Sequence, residues 1–184
     1  MISQEAISNV SSFQLRPTTK TEFIASLTDL KEDKFAKTFV AKCNMMDDWD
    51  KCRGVWIDGR LAGAIVVTIS KRKPITANLQ LLHTFHEFRG KGVARKLCEW
   101  AKDHAIEMDA EYFRVSAEFD AVPFYEKCGF KFVCKQKTAK LAMFKLSDPD
   151  IIDEYIWKTM KKKGKGGCVE CYVDYKGVDF FQEV

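Results

Sequence analysis

A short turn with two glycines separates an apolar run of strand length from a long amphipathic helix. The apolar run covers residues 78–85, and the turn after it contains the sequence Arg89-Gly90-Lys91-Gly92-Val93-Ala94. Residues 92–108 then repeat apolar side chains at intervals of three and four, which predicts a helix with one broad buried face. A strand, a turn and a helix in this order indicate an α/β unit.

The same turn offers a site for an anion, since the first backbone N–H groups of a helix have no intrahelical acceptor. Gly90 and Gly92 lack a Cβ, so a phosphate can approach the backbone closely, and Lys91 and Arg95 add positive charge. Glycines before a helix also occur in tight turns without a ligand, and this turn matches neither a dinucleotide fingerprint nor a P-loop. The residues alone leave a bound phosphate and a plain turn as alternatives.

The remaining patterns predict a mixed α/β domain. Strand patterns cover residues 13–16, 55–57, 61–69, 112–115, 130–134 and 141–146. Asp58-Gly59 predicts a tight hairpin turn, and helical patterns cover residues 31–45 and 121–127. Thr21 is the predicted cap of a further short helix after Pro17.

The chain length suits one domain, predicted over residues 1–146, with an appendage at 147–184. The appendage is expected to hold a helix that begins at 148–150 and docks through Ile152, Tyr155 and Ile156. A Lys/Gly-rich stretch and one further strand in 168–175 follow it, and the sequence does not name the partner of that strand. Residues 44–53 and 70–77 are expected to be loops that contact the acceptor, and the appendage is a further candidate for this contact.

Composition excludes several classes of protein. No apolar run reaches the roughly 20 residues that a membrane span needs, and the first 12 residues lack the regions of a signal peptide. Seven cysteines without compact spacing favour reduced thiols in a cytoplasm, and the single pair Cys168 and Cys171 does not predict a metal site. The net charge of +4, from 30 basic and 26 acidic residues, does not by itself mark a nucleic-acid binder.

Two motifs resemble those of the GNAT superfamily of N-acetyltransferases. Residues 89–94 match the pattern Gln/Arg-x-x-Gly-x-Gly/Ala in full, and residues 121–130 are similar to the pattern Ala-x-x-x-Tyr-Glu-x-x-Gly-Phe. The likeness covers residues 15–146. It implies an α/β (α+β mixed) fold with a central, mostly antiparallel, splayed sheet flanked by helices.

The resemblance also implies that the chain binds acetyl-CoA as co-substrate, without a metal. The pyrophosphate would lie on the amides of the glycine turn, and the pantetheine arm would pair with the preceding strand. A backbone N–H near Thr84 would stabilise the thioester oxygen during attack by an amine. The implied cofactor-binding residues are Leu82, His83, Thr84, Arg89, Gly90, Lys91, Gly92, Val93, Ala94 and Arg95.

Two catalytic candidates follow from the second motif. Tyr125 falls where family members place the acid that protonates the departing thiolate, and its alternative is a core tyrosine bonded to backbone. Glu118 stands where the family frequently has Asn, so it is either a base for an ammonium substrate or a solvated charge at a strand end. His83 is more readily interpreted as a packed histidine, and Glu87 and Asp120 as surface charges, so no general base is identified.

The predicted function is transfer of an acetyl group from acetyl-CoA directly to a primary amine of a small molecule, peptide or protein. Two alternatives keep the fold: a CoA-binding module without turnover, and a domain that binds RNA or another protein. A third keeps the chemistry and takes aminoacyl-tRNA as acceptor. The sequence does not name the acceptor, and it leaves a monomer and a homodimer open.

Overall fold

The computed structural model describes residues 13–29, 49–161 and 167–176. Its strands are β1 Phe13–Pro17, β2 Cys52–Ile57, β3 Arg60–Ile69, β4 Thr76–Thr84, β5 Tyr112–Ala117, β6 Phe132–Gln136, β7 Lys140–Lys145 and β8 Cys168–Cys171. They follow the order β1-β2-β3-β4-β5-β7-β6-β8 in one sheet. The β4–β5 pair is parallel, whereas the pairs β1–β2, β2–β3, β5–β7, β6–β7 and β6–β8 are antiparallel. The predicted fold class, a mixed and mostly antiparallel sheet with helices, is confirmed.

Four helices accompany these strands in the described ranges: α1 Lys20–Asp29, α2 Val93–Glu107, α3 Val122–Lys127 and α4 Glu154–Met160. The helix predicted over residues 31–45 lies outside the described residues. Among residues 13–29, 49–161 and 167–176, no helix has the length and apolar content needed to cross a membrane.

The chain divides into two compact units. Of the described residues, the first contains those from Phe13 to Val66 together with Leu81–Leu97, and the second contains Val67–Gln80 and those from Cys98 to Lys176. The interior of the first unit is apolar, and its largest fully buried side chains are Phe23, Val55, Ile65, Val66, Phe85 and Leu97. The hairpin of β2 and β3 belongs to it as far as Val66, and Asp58 and Gly59 adopt φ of 50° and 76° as the Asp-Gly turn predicts.

Helix α1 is capped by Thr19, so the prediction of Thr21 as the cap was wrong. The Thr19 hydroxyl accepts a hydrogen bond from the Glu22 amide at 3.2 Å, and the Glu22 carboxylate accepts one from the Thr19 amide at 2.8 Å. This reciprocal pair is a capping box, which takes Glu or Gln three positions after the cap. The bond from the Thr19 backbone is the largest cause that lowers the pKa of Glu22.

The second unit is built on two buried clusters. Rings of Phe113, Tyr125, Phe130 and Phe144 contact one another, with centroids 5.4–5.8 Å apart. The other cluster joins the sheet to the C-terminal segment and contains Tyr112, Val133, Cys134, Leu141, Met143, Ile156, Trp157 and Met160.

Helix α4 begins later than the sequence predicted. Asp153 caps it by accepting hydrogen bonds from the amides of Tyr155 and Ile156, each at 3.0 Å, and the Tyr112 hydroxyl also donates to the Asp153 carboxylate. Ile152 therefore precedes the helix, although it packs with Tyr155 against the second cluster. Strand β8 pairs with β6, with Cys171 opposite Cys134.

Candidate functional site

The glycine turn connects β4 to α2 in the predicted order of strand, turn and helix. After Thr84 the chain forms a 3-10 turn at His86–Phe88, in which Phe88 donates to the Phe85 carbonyl at 2.9 Å. Helix α2 begins at Val93, and Lys96 donates to the Gly92 carbonyl at 3.0 Å. The N–H groups of Val93, Ala94 and Arg95 therefore have no acceptor within the helix. They point out of its N-terminal end, where an anion is favoured.

The two glycines of the turn leave space for a ligand. Gly90 and Gly92 adopt φ of 77° and 78°, a left-handed conformation that other residues take only with strain. A Cβ at either position would have no heavy atom within 4 Å. Because the surface at these positions is open and the helix amides lie next to it, the residues of the turn fit a pyrophosphate group.

Gly63 of β3 supports the end of β4 and the start of α2. A Cβ at this position would lie 2.6 Å from the His83 carbonyl oxygen and 2.7 Å from Cγ1 of Val93. Phe85 also donates its N–H to the Ala62 carbonyl at 3.0 Å. The sequence analysis missed Gly63, since a single glycine within a strand pattern gives no indication of which backbone approaches it.

The residues predicted to contact the pantetheine arm end strand β4. The β4–β5 register ends at Leu79 and Val115, whereas β4 continues to Thr84. Leu82 and Thr84 are half-buried. Within the described part of the chain, the Thr84 hydroxyl oxygen is buried and has no hydrogen-bond partner. Such a group costs about 1–3 kcal/mol, which a ligand atom bonded to it would offset.

His83 is packed among aromatic rings. It is 7% exposed and meets Phe85 and Phe23 edge to face, with centroids 4.9 and 6.0 Å apart. These contacts agree with the interpretation of His83 as a core residue rather than a base.

Charged side chains hold the 3-10 turn before the glycines. Arg60, the first residue of β3, donates from both terminal nitrogens to the Glu87 carboxylate, one bond being 3.0 Å long. The Arg60 guanidinium and the Lys91 ammonium also lie 5.4 and 5.2 Å from the centroid of the Phe88 ring. Glu87 is thus paired with Arg60, which argues against Glu87 as a base. Arg60 is a second residue that the sequence analysis missed.

A pocket of about 290 Å³ lies in the first unit between α1 and the hairpin. Its lining residues are Glu22, Ala25, Ser26, Trp56, Gly59, Arg60 and Leu61. None of the predicted site residues lines it. Its lining residue Arg60 is also the partner of Glu87 in the 3-10 turn.

Tyr125 lies on α3 in the second unit. Its ring is 6% exposed and contacts Phe124 and Phe130, with centroids 5.2 and 5.4 Å away. This burial among rings suits a packed tyrosine, and no hydrogen bond is among the causes that shift the pKa of its hydroxyl. Burial raises the pKa of the phenol, and Cys98, Cys128 and Glu118 raise it further.

Glu118 and Asp120 are exposed and flank the end of β5. Glu118 precedes the 3-10 turn Phe119–Ala121, and its carbonyl accepts a hydrogen bond from the Ala121 amide at 3.0 Å. The negative charge of Glu118 is one of the causes that raise the pKa of Tyr125, so the two catalytic candidates of the second unit interact electrostatically.

No group of three or more His, Cys, Asp or Glu side chains in the described ranges is arranged to hold a metal. Cys168 and Cys171 lie on β8, and each thiol contacts backbone carbonyls, that of Glu170 for Cys168 and those of Val133 and Val173 for Cys171.

Residues 23–142 match the family model described as the acetyltransferase (GNAT) domain. A curated relative, streptothricin acetyltransferase of Escherichia coli, is 33% identical over 87 residues, which are 46% of this chain and 49% of the relative. The chain thus spans about half the length of this relative.

Solved structures agree on the fold. PaiA N-acetyltransferase from Thermoplasma acidophilum, solved in complex with coenzyme A, has a TM-score of 0.54 and 14% identity, and the match covers 73% of this chain and 99% of that one. Naa50 of Arabidopsis thaliana, solved with a bisubstrate analogue, has a TM-score of 0.51 and 15% identity. The match covers 72% of this chain and 97% of that one. The match to the family model, together with the strand, glycine turn and helix that carry its first motif, shows that the chain belongs to the GNAT family of acetyltransferases.

Proposed function

We propose that this protein transfers the acetyl group of acetyl-CoA to a primary amine. The open glycine turn at the N-terminus of α2 is the observation that carries the proposal. It combines two left-handed glycines, open space in front of both, and the outward N–H groups of the first helical turn. That combination suits a pyrophosphate, and family membership supplies the reaction class.

The chain would hold the co-substrate with residues of its first unit. The amides of the turn and of Val93 and Ala94 would bind the pyrophosphate, with Arg89, Lys91 and Arg95 adding charge. The end of β4 at Leu82, His83 and Thr84 would hold the pantetheine arm, and the buried Thr84 hydroxyl would gain a partner there. When bound, acetyl-CoA supplies the acetyl group as an activated thioester.

Two residues of the second unit are proposed to move protons. The Tyr125 hydroxyl would donate a proton to the leaving thiolate, and the Glu118 carboxylate would accept one from the ammonium of the acceptor, directly or through water. The raised pKa of Tyr125 keeps its proton in place through the neutral range, so the donor is in the correct state there. Direct transfer then needs only that amine and thioester are held together.

A non-catalytic CoA-binding module is the competing proposal, and it shares every feature of the first unit. The two differ in turnover. The decisive assay measures release of free CoA from acetyl-CoA with a panel of amines that includes streptothricin, peptides with free N-termini, polyamines and aminoacyl-tRNA. Amine-dependent release with a mass increase of one acetyl group on the acceptor is expected. Binding of CoA without release for every amine would support the module instead.

A further inference from the structure

The turn between β6 and β7 gathers three lysines in six residues: Lys135, Lys137 and Lys140. Lys135 lies directly opposite Lys140 in the antiparallel register. Like charges in that position destabilise a sheet unless something compensates them. Across the described ranges, no carboxylate lies within 4.0 Å of either ammonium group. Glu170 of β8 lies opposite Lys135 on the other side of β6 and offsets part of this charge, so the turn keeps an excess of positive charge.

Two exposed aromatic rings flank this turn. The Lys135 ammonium lies 5.9 Å from the centroid of Phe119, and the Lys140 ammonium lies 5.0 Å from that of Tyr172. The two aromatic residues are 45% and 41% exposed. We call the surface formed by Phe119, Lys135, Lys137, Lys140 and Tyr172 the lysine-aromatic patch.

The patch adjoins the proposed base. Lys140 lies opposite Ala117, the last residue of β5, and Glu118 and Phe119 are the next two residues of the chain. All of these residues belong to the second unit, as does Tyr125. A molecule that binds to the patch beside Phe119 would thus lie next to Glu118.

We propose that the lysine-aromatic patch binds an acidic segment of a peptide acceptor whose free amine is acetylated. The inference rests on the proposed function and adds the substrate class. Carboxylates of the peptide would pair with the lysines, and its apolar atoms would cover the two rings.

An acidic peptide fits the patch better than a nucleic acid does. Glu170 of β8 lies opposite Lys135, and Glu118 directly follows Ala117, which lies opposite Lys140. A nucleic-acid backbone carries a phosphate at every nucleotide, so some phosphates would face these two carboxylates. A peptide can place its acidic side chains at the lysines and neutral ones at the glutamates.

The test uses the full chain and two fluorescein-labelled peptides with the same free N-terminus. One peptide has three Asp in its first six residues, and the other has Asn in their place. Binding is measured by fluorescence anisotropy at low salt. The Asp peptide is expected to bind at least about tenfold more tightly than the Asn peptide, and added salt should reduce the difference.

The variant K135Q/K140Q should lose most of that difference, while its Kd for CoA stays unchanged. Lys145 provides the matched control, because it ends the same strand β7 at the far side, opposite Tyr112. K145Q should keep the preference. The charge-reversed variant K135E/K140E should prefer a peptide with Lys at the three positions.

Equal affinity for the two peptides, or an equal loss in K145Q, would overturn the proposal. Binding of a single-stranded oligonucleotide in place of the Asp peptide would overturn it as well. Anisotropy does not require turnover, so its result stands apart from the proposed function. If no amine releases CoA but the Asp preference persists and depends on Lys135 and Lys140, the patch stands and the proposed function fails.

Discussion

Gly63 lies so close to His83 that a Cβ at position 63 would be 2.6 Å from the His83 carbonyl oxygen. The end of β4 and Val93, the first residue of α2, both pack against Gly63 of β3, which has no side chain. The geometry of the glycine turn depends on this approach.

Gly63→Ala is expected to lower the free energy of unfolding by about 1–3 kcal/mol, because backbone atoms must shift to admit the methyl group. Denaturant unfolding measures the loss. Gly59→Ala is the control, since its Cβ meets no atom and it carries only the strain of a positive φ. A Gly63→Ala variant as stable as wild type would show that the strand gives way without cost.

Gly92→Val is expected to raise the Kd for CoA at least about tenfold, roughly 1.4 kcal/mol. The branched side chain would occupy the open face of the turn and resist the φ of 78°. Isothermal titration calorimetry gives the Kd. Gly59 has a comparable φ of 76° but lies in the β2–β3 hairpin and not in the glycine turn, so Gly59→Val should bind CoA like wild type. Unchanged affinity in folded Gly92→Val would place the pyrophosphate elsewhere.

Tyr125→Phe is expected to lower kcat at least about tenfold where chemistry limits the rate, since a general acid contributes about 10²–10⁴. The ring contacts with Phe124 and Phe130 persist, so CoA affinity and stability should change little. Steady-state and single-turnover rates measure the effect. Phe124→Leu, which alters the neighbouring ring and no hydroxyl, serves as control. A wild-type rate in Tyr125→Phe would return Tyr125 to a packing role.

Trp157→Ala is expected to cost about 3–5 kcal/mol of stability, because Trp157 is buried beside Ile156 and Met160 in the cluster of the second unit. Thermal unfolding shows the loss. The exposed neighbour Lys158→Ala should be about as stable as wild type, since its pair with Glu154 is a surface ion pair. A stable Trp157→Ala would mean that the C-terminal segment contributes little to the fold.

Alkaline pH is expected to destabilise the fold through Cys98. Burial raises the pKa of this thiol, followed by the effect of Cys128. In the unfolded chain a thiol ionises above about 8.5, while the folded state keeps its proton. The unfolded state then binds fewer protons, so stability falls as pH rises from that value toward the raised pKa, by at most about 1.4 kcal/mol per pH unit for this group.

Denaturant unfolding between pH 8 and pH 10, with reductant present, tests this expectation. Cys98→Ala should show a shallower decline than wild type. Leu97→Val, a neighbouring core change without a titrating group, should keep the wild-type slope. Identical slopes in Cys98→Ala and wild type would show that ionisation of Cys98 does not cause the loss of stability at alkaline pH.

Local chemistry made much of the fold predictable from sequence. The Asp58-Gly59 turn, the long helix and the strand before the glycine turn each follow from neighbours within a few residues, and the structure agrees with them. Thr19 and Thr21 were harder to separate, because both lie at the start of the same helix. Only the spacing of three residues to Glu22 selects Thr19.

Contacts between distant residues account for what the sequence did not predict. Arg60 donates a hydrogen bond to Glu87, which lies 27 positions later in the chain. Gly63 contacts His83 because the end of β4 lies along β3. The sequence also could not predict which strand β8 pairs with, since the alternation in 168–175 is compatible with any edge strand. Tertiary packing alone selects β6. The roles of Glu118 and Tyr125 stay predictions.

Strand β8 also affects how this protein behaves when it is concentrated. Without it, β6 would present the unpaired N–H and C=O groups of its outer side to other molecules, a template for strand addition between chains. With β8 in place, the last strand at that side among the described residues is four residues long and carries an exposed Glu170. A short, charged final strand resists self-association, so removing residues 168–171 should make the purified protein prone to aggregate even where the remaining domain folds.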